Sequence, residues 1–202
     1  MNLIKNSNTK FATSSICPVT GLPILRRPEW TDVSFGKDYK LTVSILGDSI
    51  VLNQPSGYVT LHDAENTLRL SSKLVTEIIT GGRPYVHISD YSNLRGASLE
   101  ARKYYIDNMK KRERLLGIIF CDTSSMFRMS IKLGKRLNIV KFNVQIVNDY
   151  SEAVKLAIKM LSYGKIIEDK PVIVPPHDNN LIRDTLPTEK ESICPVTGLP
   201  KT

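Results

Sequence analysis

The sequence predicts an α/β domain in which a mixed sheet of about five strands packs with about four helices, with irregular arms at both ends. Three observations predict it. Tyr85-Val86-His87-Ile88 alternates and is rich in strand formers, and Leu115-Leu116-Gly117-Ile118-Ile119-Phe120 is a continuous apolar run of the kind a strand shows when both faces are buried. Between them, residues 97–114 hold good helix formers, with Leu99, Ala101, Tyr105, Met109 and Leu116 spaced so that one stripe faces a sheet. Strand, crossover helix and strand of this length make a parallel, right-handed unit, and such units carry their functional residues in the loops at the carboxyl ends of the strands. Those loops are residues 90–98 and 121–125.

The rest follows in chain order. Residues 1–38 are rich in Asn, Ser, Thr and Pro without a sustained period and read as an irregular arm. Residues 41–46, the turn Gly47-Asp48-Ser49, and residues 50–53 read as a hairpin that Pro55-Ser56-Gly57 ends. Thr60 opens a helix to about Ile79, with Ala64, Leu68, Leu70, Leu74, Val75 and Ile78 as its apolar stripe, and Gly81-Gly82 stops it. After the second parallel strand, Ser124 or Ser125 caps a helix with Met126, Met129, Leu133 and Leu137 on its inner face and Arg128, Lys132, Lys135 and Arg136 on its outer one. Residues 142–147 alternate as a strand, and Asp149 or Ser151 caps a last helix, 152–161, closed by Gly164. The domain thus spans 39–162. The tail, 163–202, holds six of the eleven prolines and reads as an extended linker.

A chain of 202 residues with 41% hydrophobic content buries one ordinary core. No apolar run approaches the ~18 residues of a membrane helix, and the start has no hydrophobic centre, so a soluble, cytoplasmic protein with no membrane span and with reduced thiols at Cys17, Cys121 and Cys194 is expected. The net charge of +8 sits in two helical regions: residues 97–114 carry six basic and three acidic side chains, and residues 124–141 five basic and none acidic. Such faces attract an acidic protein, an anionic surface or nucleic acid, and otherwise serve as solvated helix faces. Nucleic acid is disfavoured, because no aromatic residues interleave with the cations and no zinc-finger or helix-turn-helix pattern is present.

One motif stands apart. Ser15-Ile16-Cys17-Pro18-Val19-Thr20-Gly21-Leu22-Pro23 recurs without change as Ser192-Ile193-Cys194-Pro195-Val196-Thr197-Gly198-Leu199-Pro200. Only the head of a unit returns, so the chain is expected to be the first module of a longer tandem or multidomain protein. Cys17, Cys194 and His177 do not make a metal site on this spacing, since each motif has one cysteine where zinc knuckles have two. No cofactor is called for.

The order of elements over residues 39–161, about three fifths of the chain, resembles the STAS fold of anti-sigma factor antagonists and bacterial signalling proteins. Asp90-Tyr91-Ser92 looks like the Asp-x-Ser/Thr that ends the central STAS strand, and Gly96-Ala97-Ser98 stands at the mouth of the next helix. The whole chain, with its Cys-Pro-Val-Thr-Gly-Leu-Pro head and the Trp30 region, also looks like amino-terminal segments of some bacterial sensor histidine kinases. The resemblance implies a phosphoacceptor serine at the helix start, here Ser98 or Ser92. A phosphate there is held by free amides and the helix dipole, while an unmodified serine at the same place serves as a cap.

The preferred reading is therefore a non-enzymatic regulatory module that binds a signalling protein (a kinase or an anti-sigma-like regulator) or a small anionic ligand. Its contact residues would be Asp90, Asn93, Arg95, Gly96, Arg102, Asp122, Ser124 and Arg128. A second reading is a small α/β enzyme or nucleotide-binding protein using Asp90, Cys121 and Asp122, with Cys121 activated at a helix start. A third is an assembly domain that forms a homodimer through a sheet edge or helices. A phosphorylatable receiver is disfavoured, because the first strand ends in a hairpin turn and not in an acidic pair.

Overall fold

The computed structural model describes residues 13–136 and 142–168. Its sheet is mixed, as expected, but has nine strands and not about five. Strands β1 (Thr13–Ile16), β2 (Pro23–Arg26) and β3 (Val33–Gly36) precede the hairpin β4 (Tyr39–Leu46) and β5 (Ile50–Val59). Helix α1 (Leu61–Ile78) leads to β6 (Tyr85–Asp90) and β7 (Leu94–Ala97); α2 (Leu99–Met109) leads to β8 (Leu115–Cys121); α3 (Ser125–Arg136), β9 (Val144–Ile146) and α4 (Tyr150–Glu168) follow. The main path runs β1-β2-β4-β5-β6-β8-β9, with β3 on β4 and β7 on β5. The two central strands are parallel, as expected, paired from Tyr85↔Leu115 to Asp90↔Cys121 with one register shift between Tyr85 and Val86.

The arm 1–38 is not irregular over its described part. The β1–β2 hairpin adds to β4 through Ile24↔Leu46 and Leu25↔Ile45, and β3 pairs with the start of β4. These strands are four residues each, too short to announce themselves by period, and they form because β4 offers them an edge. Cys17 closes the β1–β2 turn, donating its amide to the Leu22 carbonyl at 2.8 Å, and buries its thiol in the core beside the Tyr150 hydroxyl, 3.5 Å away. The second copy of the motif lies outside the described residues.

The hairpin does not end at Pro55. Strand β5 continues to Val59, and its second edge is shared by two partners: Ile50–Asn53 pair with β6 and Gly57–Val59 with β7. Pro55, which has no N–H to give, falls in the gap between them. At Gly57 the backbone has φ +90°, and a Cβ there would collide with the Asp38 carbonyl oxygen, so only glycine lets β5 pass.

Thr60 caps α1 as expected, and the reciprocal bonds are complete: the Asp63 amide donates to Thr60 Oγ1, and the Thr60 amide donates to Asp63 Oδ2 at 2.9 Å. Helix α2 is shorter than the expected 97–114, and its first residue, Leu99, faces solvent and not the sheet. Helix α4 runs past the expected stop at Gly164, and the rest of the tail lies outside the described residues. No described helix is long and apolar enough to cross a membrane.

Two cores result. On one face of the sheet, Ala153, Val154 and Ala157 of α4 lie over Leu46, Val86, Ile88, Ile119 and Cys17. On the other, α1 and α2 cover Val43, Ile45, Val51, Tyr85 and Ile118.

Helix α3 is rotated from expectation. Met126, Met129 and Leu133 point outward, whereas Phe127 and Ile131 face the core; Leu137 lies outside the described residues. The reason is a better bargain on the other row. Phe127 meets Tyr91 and Phe120 with ring centroids 5.0 and 5.5 Å away, and two supposedly solvated cations turn inward to backbone acceptors. Arg128 donates to the Thr123 and Val147 carbonyls at 3.2 and 3.0 Å and to Asn148 Oδ1 at 3.1 Å, and Lys135 donates to the Val144 carbonyl at 2.7 Å.

Candidate functional site

The loop after β6 begins with Asp90, whose carboxylate is fully engaged. Oδ1 accepts from the Ser92 amide at 3.1 Å, closing a local turn, and Oδ2 accepts from Gln54 Nε2 at 3.1 Å; Gln54 Oε1 in turn accepts from Arg26 at 3.3 Å. Asp90 thus ties the strand end to the neighbouring strands. Ser92 and Asn93 stand exposed at the tip, and the Asn93 carbonyl accepts from the Gly57 amide at 3.0 Å. The chain then folds back along β5 as β7, so the segment 94–97 is a strand and not part of an open loop.

Ser98 is the amino cap of α2: its Oγ accepts from the Ala101 amide at 3.2 Å, and its own amide donates to the Val59 carbonyl. Arg102, one turn on, donates Nε to the Ala97 carbonyl at 3.0 Å. Across from this corner, Ser124 accepts from the Phe127 amide at 3.3 Å at the start of α3. Arg95, Gly96, Arg102 and Ser124 come together with Leu94 and Met126 around a cleft of about 70 Å³. Arg128 does not join them, being turned to the strand ends at Val147 and Asn148.

The three residues of the enzyme reading do meet. One ligand atom from each of Asp90, Cys121 and Asp122 falls within 4.8 Å of the others. Their chemistry opposes nucleophilic use. Burial, then the charges of Asp90, Asp122 and Asp149, push the Cys121 thiol up to about 12, so it stays protonated at neutral pH. The Asp122 carboxyl is also raised, first by desolvation and then by Asp90 and Asp149. Both Asp90 oxygens already have protein partners. Of the histidines, His62 sits beside Asn66 with its Nε2 3.1 Å from the amide nitrogen, and His87 is wholly buried with neither ring nitrogen partnered. His177 lies outside the described residues.

Beneath the corner, between α2, α3 and the sheet, lies a cavity of about 600 Å³. Its walls are mainly apolar, with Val59, Ile106, Phe120, Phe127 and Ile131 from four different elements. Leu99, Lys103, Lys110 and Leu133 are exposed and also line it, so it opens to solvent between the helices. Sequence reasoning missed this space. Its residues are scattered over the chain, and the only local signal was Tyr105, which reads as an ordinary sheet-facing residue of α2.

No family model and no curated protein matches the chain. Among solved structures, an uncharacterized protein of the DUF3478 family with a SpoIIAA-like fold, from Shewanella loihica PV-4, is similar with a TM-score of 0.47 and 14% identity, over 62% of this chain and 98% of that one.

Proposed function

We propose that the chain is a non-catalytic regulatory module that binds an acidic signalling protein at the corner made by β7, the start of α2 and the outer face of α3. One observation carries this reading. Leu99, Met126, Met129 and Leu133 are 76, 68, 67 and 55% exposed, the first on α2 and the other three on α3, which carries four basic side chains and no acidic one. Large apolar side chains left in water beside cations fit a partner that brings its own apolar residues with carboxylates around them. The residues Asn93, Arg95, Gly96, Arg102 and Ser124 form the floor of that surface. Methionine suits it, because the unbranched thioether adapts to the surface it meets.

Ser98 is the modification site in this reading. A phosphate on its hydroxyl would stand at the free amides of α2 beside Leu99, adding nearly two negative charges where an acidic partner docks, and so would weaken the complex. Ser92, exposed at the loop tip, is the second acceptor.

The test is capture from a lysate, identification by mass spectrometry and titration of the recombinant partner. A Met129→Ser/Leu133→Ser chain should bind the captured protein at least about tenfold more weakly, a loss of about 1.4 kcal/mol, and raised salt should weaken the wild type further. Equal binding by the two chains rejects the surface. Incubation with a cognate kinase should add one phosphate, and a Ser98→Ala chain labelled as strongly as wild type removes that site. Concentration-dependent mass of the chain alone, lost in the same double variant, would instead assign the patch to a homodimer.

A further inference from the structure

We infer that the cavity between α2, α3 and the sheet is a small-molecule site for an amphipathic carboxylate whose apolar body carries one hydrogen-bonding oxygen. Protein interiors leave few voids larger than a water molecule, so a space of about 600 Å³ in a domain of this size is not a packing fault. It lies within the volume range of ligand sites, and its apolar lining with few polar groups is the composition such sites have.

The polar groups decide the ligand class. Tyr105 lines the cavity, and its hydroxyl is buried without a hydrogen-bond partner, an arrangement that costs free energy until something supplies one. The other polar groups in the wall behave differently. The Tyr39 hydroxyl pairs with Thr67 Oγ1 at 2.8 Å, and Asn53 donates to Ser71 at 3.1 Å, so both are satisfied within the protein. Among the wall hydroxyls of the described residues, that of Tyr105 is the fully buried one left without a partner, beside the Ser89 and Tyr91 hydroxyls that also line the space. The mouth supplies the rest: Arg102, Lys103 and Lys110 line it, against a single acid, Asp107, whose carboxylate is taken by Lys110 at 3.1 Å. A ligand that lays an apolar body along Phe120, Phe127 and Ile131, meets Tyr105 with an oxygen part-way along, and leaves its carboxylate at Arg102 and Lys103 satisfies every one of these groups. This site goes beyond the partner surface, because it lies inside the fold, although Leu99, Arg102 and Leu133 at its mouth belong to both.

The probes are 12-hydroxystearate, stearate and anilinonaphthalene sulfonate, the last read by fluorescence and the two acids by its displacement, on the full chain. Saturable binding of the dye and its displacement by both acids is expected, with 12-hydroxystearate the tighter. Tyr105→Phe should weaken 12-hydroxystearate about tenfold and leave stearate unchanged. Ile131→Trp, which fills the space, should abolish both, and circular dichroism checks that it has folded. If that variant does not fold, Ser130→Trp at the same wall replaces it. The Met126→Ser/Met129→Ser chain, altered only at exposed residues that do not line the cavity, should still bind the dye, which separates the cavity from the outer patch. Absence of saturable dye binding, undiminished binding in a folded tryptophan variant, dye binding lost in the double serine variant, or an equal effect of Tyr105→Phe on both acids overturns the proposal.

Discussion

Acidification should destabilise this domain through one residue, His87. The ring is fully buried on β6, neither nitrogen has a partner, and its nearest ring neighbour is Tyr105, edge-on at 6.5 Å. Burial, with a smaller contribution from the nearby Arg112 cation, lowers its pKa from 6.5 to about 3. The folded chain therefore refuses a proton that the unfolded chain accepts below about pH 6.5, and stability rises with pH across the window from about 3 to 6.5. Each pH unit inside that window is worth about 1.4 kcal/mol, so moving from about pH 7 to about pH 4.5 should remove about 2 to 3 kcal/mol, out of a typical total of about 5 to 15. Above about pH 6.5 both states are neutral and His87 adds no slope. The assay is urea unfolding of wild type and His87→Leu at both pH values. The variant removes two buried polar atoms that have no partner, so near pH 7 it should be close to neutral in effect, and in acid it should keep the 2 to 3 kcal/mol, on the order given above, that wild type loses. Equal acid losses in the two proteins, or an NMR titration of the His87 ring with a midpoint above about pH 5, would refute the reasoning.

Three further outcomes follow from the geometry. Gly57→Ala should lower stability by about 2 to 4 kcal/mol, seen as a fall in the thermal midpoint, because the left-handed backbone and the Asp38 carbonyl both oppose a Cβ; a midpoint unchanged within error contradicts the β5 path. Thr60→Ala should cost about 1 kcal/mol in urea unfolding by opening the reciprocal cap with Asp63, and no loss would mean that the cap does not form. On a Cys194→Ser background, Cys17 and Cys121 should resist a thiol reagent in the native protein and both react on unfolding; rapid native labelling of Cys121 would revive the nucleophile reading.

What could be read in the chain, and what could not, divides along the range of the forces involved. The capping box at Thr60 and Asp63 and the parallel pair Tyr85–Asp90 and Leu115–Cys121 were legible, because residues close in sequence or a run of β-formers specify them. Strands β1 to β3 and β7 were not, since a four-residue strand owes its existence to the edge it joins. On α3 two apolar rows competed at equally good spacing, Met126-Met129-Leu133 and Phe127-Ile131. Aromatic packing against Tyr91 and Phe120, with the inward hydrogen bonds of Arg128 and Lys135, selected the second, and none of those partners is local. The corner formed by Arg95, Gly96, Arg102 and Ser124 was foreseeable from the rule that function gathers at strand ends. The cavity was not, because it is a property of three layers meeting and has no spelling in any one segment.

The anchored thiol of Cys17 alters how experiments on the repeated nine residues should be interpreted. The first copy is a wedge holding the β1–β2 turn against Tyr150 and α4, so excising it strips one side of the sheet. A deletion phenotype there would report collapse of the domain before it reported loss of any recognition tag.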